Sequence, residues 1–192
     1  MCTVAAFEAS EKFNARARTE AWPSFCDASL AFQRMEFRLL LATWHDLGNE
    51  ERLPSRRELT SHKLKSLLRN IAIYERVTNG KMRYRVRVMG TAFADIMGDM
   101  TGRFLDEALP DQHLPRWQAA LDAVLEAGAP LRFVSRADTA CKSFLVGEYF
   151  EAPLLDDDGA PTMILAGGHF AARKWSDITD LEPERTPALA AA

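Results

Sequence analysis

The sharpest pattern in the chain is a two-residue alternation over residues 81–88. Met82, Tyr84, Val86 and Val88 point one way, and Lys81, Arg83, Arg85 and Arg87 point the other. Period two predicts a β-strand with one face in a core. Asn79-Gly80 just before it is a hairpin turn signal, so the apolar run 71–77 is the expected antiparallel partner. A second pattern has helical period. Phe37, Leu40, Leu41, Trp44 and Leu47 recur at spacings of three and four, one face of an amphipathic helix over 29–47. Ser29 supplies a cap and Gly48-Asn49 a stop. Two readings of this stripe stand side by side. It covers a sheet face of its own chain, or it is the interface of a homodimer.

The rest of the chain extends the alternation of strands and helices. Residues 1–28, broken by Trp22-Pro23, read as a loose or lightly helical arm. Leu53-Pro54-Ser55-Arg56 is a turn into a helix start, and Leu64, Leu67 and Leu68 close a short helix. Gly90-Thr91 ends the basic strand, and residues 92–97 give one or two helical turns before Gly98. Thr101-Gly102 turns again into 103–109. A longer helix begins at Pro115, with Trp117, Leu121, Val124 and Leu125 on one side, and ends at Gly128 and Pro130. Strands are expected at 131–136, 143–153 and 162–172, with Asp156-Asp157-Asp158-Gly159 as the hairpin loop between the last two. This order predicts an α+β fold: a five-stranded antiparallel sheet with helices on one face. The expected divisions are an arm and amphipathic helix at 1–48, a domain at 49–173, and a flexible tail at 174–192.

Composition narrows the function. Hydrophobic residues make up 47% of 192, and charged residues 27%, enough for one domain with a real core. A net charge of -3 gives no global attraction to nucleic acid. Within 51–90, however, eleven Lys/Arg face three Glu, a local excess of about +8. The N-terminus lacks a basic segment followed by an apolar run, and no stretch reaches the roughly 20 apolar residues that span a bilayer. The three cysteines, Cys2, Cys26 and Cys141, are far apart and odd in number, which fits a reducing cytoplasm.

Trp44, Leu53-Pro54-Ser55-Arg56, Tyr84-Arg85-Val86-Arg87, Gly90-Thr91 and Gly98-Asp99 followed by Thr101-Gly102-Arg103 together resemble a PAS domain. The closest resemblance is to short, single-domain bacterial PAS proteins, and it spans roughly 44–173. One departure is local: those proteins often carry an acidic residue and a proline after Pro-Ser-Arg, where this chain has Arg57-Glu58-Leu59-Thr60. The resemblance implies a sensory or protein-interaction module with a signalling protein partner. It also implies a small cavity between the inner sheet face and the helices. Candidate lining residues are Tyr84, Val86, Phe93, Met97, Phe104, Leu105, Trp117, Leu121, Val134, Phe144 and Leu165. The alternative is that these residues simply fill the core.

Chemistry beyond binding finds little support. Flavin-binding PAS domains of the cysteine-reactive type resemble a Cys-Arg-Phe-Leu run; here the position reads Thr101-Gly102-Arg103-Phe104-Leu105, without the cysteine. His113, just before the longer helix, is a conceivable haem ligand. A lone histidine at a helix entrance more often caps or faces solvent, and the expectation is no cofactor and no metal. His45, His62 and His169 are isolated. The acidic run at 156–158 lacks the alternating ligands of a calcium loop. No hydrolase elbow, phosphate loop or metalloprotease motif occurs, so an enzyme is not expected. The basic strand face, Arg83, Arg85 and Arg87, has two readings. It is paired with the chain's own acids, Glu36 among them, or it is an anion site for a nucleotide or an acidic partner.

Overall fold

A computed structural model describes residues 3–49, 52–60, 62, 64–137, 144–175 and 178. Helix α1 (Val4–Thr19) is followed by strand β1 (Ser24–Asp27) and helix α2 (Met35–Leu47). Strands β2 (Ile71–Asn79) and β3 (Lys81–Met89) form the expected hairpin. Helices α3 (Thr91–Met97), α4 (Leu105–Ala108) and α5 (Leu114–Ala127) come next, and β4 (Leu131–Arg136), β5 (Leu145–Leu154) and β6 (Met163–Ala172) complete the chain order. All strands join one antiparallel sheet in the order β1-β4-β5-β6-β2-β3. Six strands replace the five expected, because β1 adds itself to the edge of β4.

The region expected as a loose arm is therefore built into the fold. Thr3 caps α1 by accepting a hydrogen bond from the Ala6 amide at 3.1 Å. Ala6, Ala9, Phe13 and Ala17 form a small-residue stripe in one cluster with Ala123 and Ala127 of α5. Small side chains let two helix backbones approach closely. Polar residues of α1 then hold β1. The Asn14 carboxamide accepts from the Cys26 amide at 2.7 Å and donates to the Cys26 carbonyl at 2.9 Å. The Ser10 hydroxyl donates to the same carbonyl at 3.0 Å. The Cys26 amide and carbonyl of this edge strand are thus satisfied from within.

Two apolar clusters lie on opposite faces of the sheet. One gathers α1, α3, α4 and α5 against Tyr74, Tyr84, Val86, Phe133, Tyr149 and Ile164. The other gathers α2 against Ile71, Ile73, Phe150, Ala152, Leu154 and Leu165. Helices thus cover both faces, and α2 begins at Met35 rather than Ser29. Ser29 instead donates its amide and hydroxyl to Asp27, at 2.8 and 2.6 Å. The stripe of α2 seals its own sheet: Phe37, Leu40, Trp44 and Leu47 are buried, Leu41 packs beside them, and the Trp44 indole donates to the Pro153 carbonyl at 2.8 Å. A Cβ on Gly167 would meet Leu40 at 2.9 Å, so the helix sits close on β6. These residues cover the sheet face of their own chain, while Met35 and Leu39 of the same helix stay exposed.

The strict alternation of β3 also breaks once. Ile73 lies opposite Val88 and Tyr74 opposite Val86, leaving Arg87 as an extra residue in a β-bulge. The bulge flips the parity, so Val88 packs on the α2 side while Tyr84 and Val86 face α5. Gly90 ends the strand because a Cβ there would run into the main-chain carbonyls of Leu68 and Arg69. Leu53-Pro54-Ser55-Arg56 forms a short 3-10 turn over Arg56–Glu58 with a capping box between Ser55 and Glu58. Trp175 and Ile178, expected in a free tail, pack beside Phe25, Val134 and Val146. Residues 179–192 and Cys2, Cys141 and Ser143 lie outside the described residues. Among the described residues no helix is long and apolar enough to cross a membrane.

Candidate functional site

The sheet face under α5 holds a cavity of about 40 Å³. Arg116, Trp117 and Ala120 of α5 form one wall. Ser24 of β1, Phe133 and Ser135 of β4, and Tyr149 and Glu151 of β5 form the rest. Strand parity explains the lining. Phe133 and Ser135 share a face, Tyr149 and Glu151 share it, and the register places Ser24 opposite Ser135. Pro115 in the first turn of α5 starts the helix where Arg116 and Trp117 are carried over the sheet.

The cavity wall sets a few polar groups among aromatic rings. Glu151 is only 7% exposed, and its Oε2 accepts no hydrogen bond. Burial alone pushes its carboxyl up to about 8, so near neutral pH it is mostly protonated. The neighbouring Tyr74 hydroxyl is buried and also without a partner. Burial raises its pKa first, and the negative fields of Glu151 and Tyr149 add to that. Tyr84 differs, since its hydroxyl donates to Asp122 Oδ1 at 2.5 Å. Its pKa is raised by burial and by that bond. Arg116 is buried and donates to the Arg136 carbonyl at 3.4 Å. A buried polar oxygen without a donor costs about 1–3 kcal/mol, so Glu151 is an expense the packing does not recover.

The sequence-predicted lining is partly brought together. Tyr84, Val86, Phe93, Leu105 and Leu121 lie in the α5-side cluster, with Met97 and Trp117 packed against it. Of these, Trp117 lines the cavity. Four candidates belong elsewhere. Val134 alternates with Phe133 and so faces Val146 and Ile178 on the other side. Leu165 packs under α2. Phe144 precedes β5 and is 58% exposed. Phe104 lies outside, its ring stacked under Arg83 at 3.8 Å and Arg85 at 4.8 Å. Arg116, Ser24, Phe133, Ser135, Tyr149 and Glu151 were not anticipated. The available signal was two acidic residues, Glu148 and Glu151, inside a strand that is buried almost throughout.

The arginine face resolves into pairs. Arg83 makes two bonds to Asp106 Oδ1, at 3.0 and 2.7 Å, and one to Glu107 at 2.6 Å. Those bonds hold both acids below the usual carboxylate range. Arg87 reaches Glu75 at 3.3 Å. Glu36, the anticipated partner, pairs with Arg34 at 3.6 Å instead. Arg85 keeps an unpartnered Nε against Phe104. His113 forms the N-cap position of α5 and does not line the cavity. A cavity of about 40 Å³ is also far below the size of a flavin or haem, so these residues do not fit either group.

A family model described as a PAS domain matches residues 32–168. The chain belongs to the PAS domain family, a class of sensory signalling domains. No curated protein matches it. Among solved structures it is similar to an RNA-binding light-oxygen-voltage receptor, at 15% identity and TM-score 0.42, covering 61% of this chain and 34% of that one. The chain thus spans about a third of that receptor. It is also similar to the light-state Aureochrome1 LOV photoreceptor domain, at 13% identity and TM-score 0.39, covering 62% and 94%. A sensory box histidine kinase/response regulator from Burkholderia thailandensis matches at 17% identity and TM-score 0.39, covering 64% and 92%.

Proposed function

We propose that this chain is a non-catalytic PAS sensor in which a small molecule, bound in the α5 cavity, changes a protein–protein contact. The observation that carries the reading is Glu151 Oε2, a buried oxygen without a donor in the wall of a cavity. Natural cores satisfy such atoms, and those that stay open mark a place where a water or ligand completes the bonding.

The cavity touches α5 and β1, and both are packed against α1. A ligand that moves α5 therefore moves α1, whose Val4 and Phe7 are exposed. The exposed Met35 and Leu39 of α2 offer a second route to a partner. The contact partner is a second copy or a signalling protein in the cytoplasm. Such a switch requires the ligand to bind two packings with different affinity.

The test is a ligand-detected NMR screen of neutral, anionic, cationic and zwitterionic small molecules against the purified protein. Light scattering is recorded with each hit. At least one class is expected to bind, to shift the Trp117 indole resonance, and to alter association. A screen with no binder from any class would contradict the reading.

A further inference from the structure

We infer that the strand face around Arg85 is a docking surface for an acidic segment of a protein partner, with Arg85 receiving a carboxylate. The inference does not rest on the α5 cavity, because Arg85 lies on the face of β3 opposite to Tyr84 and Val86. Five cations gather at this corner: Lys81, Arg83, Arg85 and Arg87 of β3, and Arg103 from the segment that bonds to the strand's edge at Val86. Four of them are engaged. Arg83 holds Asp106 and Glu107, Lys81 stands 4.0 Å from Asp106, Arg87 reaches Glu75, and Arg103 donates to the Glu107 carbonyl. Arg85 differs. The register sets Glu75 opposite it, but that carboxylate is bonded to Arg87. Among the described residues the Arg85 guanidinium makes no hydrogen bond and no ion pair. It lies 4.8 Å over the Phe104 ring, which a bridge between Arg85 and Phe104 brings to the same face. The ring fixes the guanidinium plane and shields Nε, while the two terminal nitrogens are not shut off in this way. A fork held in place is preorganised for a carboxylate.

Charge selects the occupant. Five cations against Glu75, Asp106 and Glu107 leave this corner positive, although the whole chain carries a net charge of -3. Nucleic acid and anionic lipid present rows of phosphates and need several free cations. Here the three acids stand among the arginines and would face those phosphates. A protein segment can bring one carboxylate to Arg85 and set neutral residues against the rest. It also finds apolar footing. Val77 and Phe104 are half-exposed on the Arg85 face, past the α2 cluster, which ends at Ile73, Val88 and Met163. An arginine on an aromatic ring with apolar neighbours has the composition of an interface anchor.

The experiment is an NMR titration of the nitrogen-15-labelled full chain, read at the Arg85 Nε–Hε signal, which is assigned by its loss in Arg85→Gln. The titrants are a short acetylated peptide of alternating valine and glutamate, the same peptide with glutamine for glutamate, inorganic phosphate and a duplex DNA. The glutamate peptide should bind and shift the Arg85 signal, and the glutamine peptide should not. Affinity for the glutamate peptide should fall about 10-fold in Arg85→Gln. Lys81→Gln removes the same charge from the same face and should cost far less, which separates an anchor from a general positive field. Both side chains leave the core, so both variants are expected to fold, and circular dichroism checks that. The comparison of the two peptides on the wild type needs no variant. The inference is overturned if the glutamate peptide does not bind, if the glutamine peptide binds as tightly, or if Lys81→Gln costs as much as Arg85→Gln. Tighter binding of phosphate or DNA than of the glutamate peptide would also overturn it.

Discussion

Strand β5 carries two buried glutamates three residues apart, on opposite faces of the sheet, and the fold treats them differently. Glu148 sits on the α2 side. Its Oε1 accepts from Arg132 Nε at 2.7 Å and from the Gln33 amide at 2.9 Å. Arg132 is 1% exposed and also reaches Asp27 at 3.1 Å. That network ties β1, β4, β5 and the segment before α2 into one buried unit. Glu148 Oε2 has no hydrogen-bond partner, nor has Glu151 Oε2 on the α5 side, but Glu148 is ion-paired to Arg132 and Glu151 has no ion pair among the described residues. Burying a charge is tolerated where its partners come with it, as at Glu148. Where they do not, the group gives up its charge and leaves bonding capacity unspent. The α2 face carries an ion-paired seam, and the α5 face carries a lone buried carboxyl.

The largest break comes from the seam. Arg132→Met should cost about 3–5 kcal/mol in urea unfolding, because Asp27 and Glu148 are left buried without their cation. A near-neutral result would erase the contrast between the two faces. Glu151→Gln sharpens it from the other side. Burial pushes the folded carboxyl up to about 8 from the ordinary glutamate value of 4.5, so the native state holds the extra proton between those values. Its stabilising contribution is complete below pH 4.5 and is lost as pH rises through 8. The wild type should lose roughly 5 kcal/mol across that window from this group, and Glu151→Gln should not. Parallel pH profiles of the two proteins would contradict the assignment. Trp44→Phe, which removes the indole bond to Pro153, should cost about 1 kcal/mol, since the ring still fills the seam. Arg83→Ala should have the smallest effect, a shift in unfolding midpoint that vanishes at high salt. Its ion pairs with Asp106 and Glu107 are partly solvated.

What the sequence disclosed follows from where its patterns are local. The β2–β3 hairpin was legible because Asn79-Gly80 and the Lys/Arg alternation are short-range signals. The stripe of α2 was legible as a helix face, but which surface it covers is a tertiary question; one helix period serves a sheet and a dimer equally well. The bulge at Arg87 left no trace, so Val88 was assigned to the wrong side. β1 is four residues long and owes its place to Asn14 and Ser10 of α1, a contact that no window of sequence contains. The cavity had the same origin. Ser24, Arg116, Ser135 and Glu151 come from four elements, and they meet only because the strand register aligns them.

The most direct test is the carbon-13 NMR titration of the Glu151 side-chain carboxyl, identified by its disappearance in Glu151→Gln. The account predicts a buried carboxyl that titrates near 8. A Glu151 carboxyl that titrates near the ordinary glutamate value of 4.5 would contradict it.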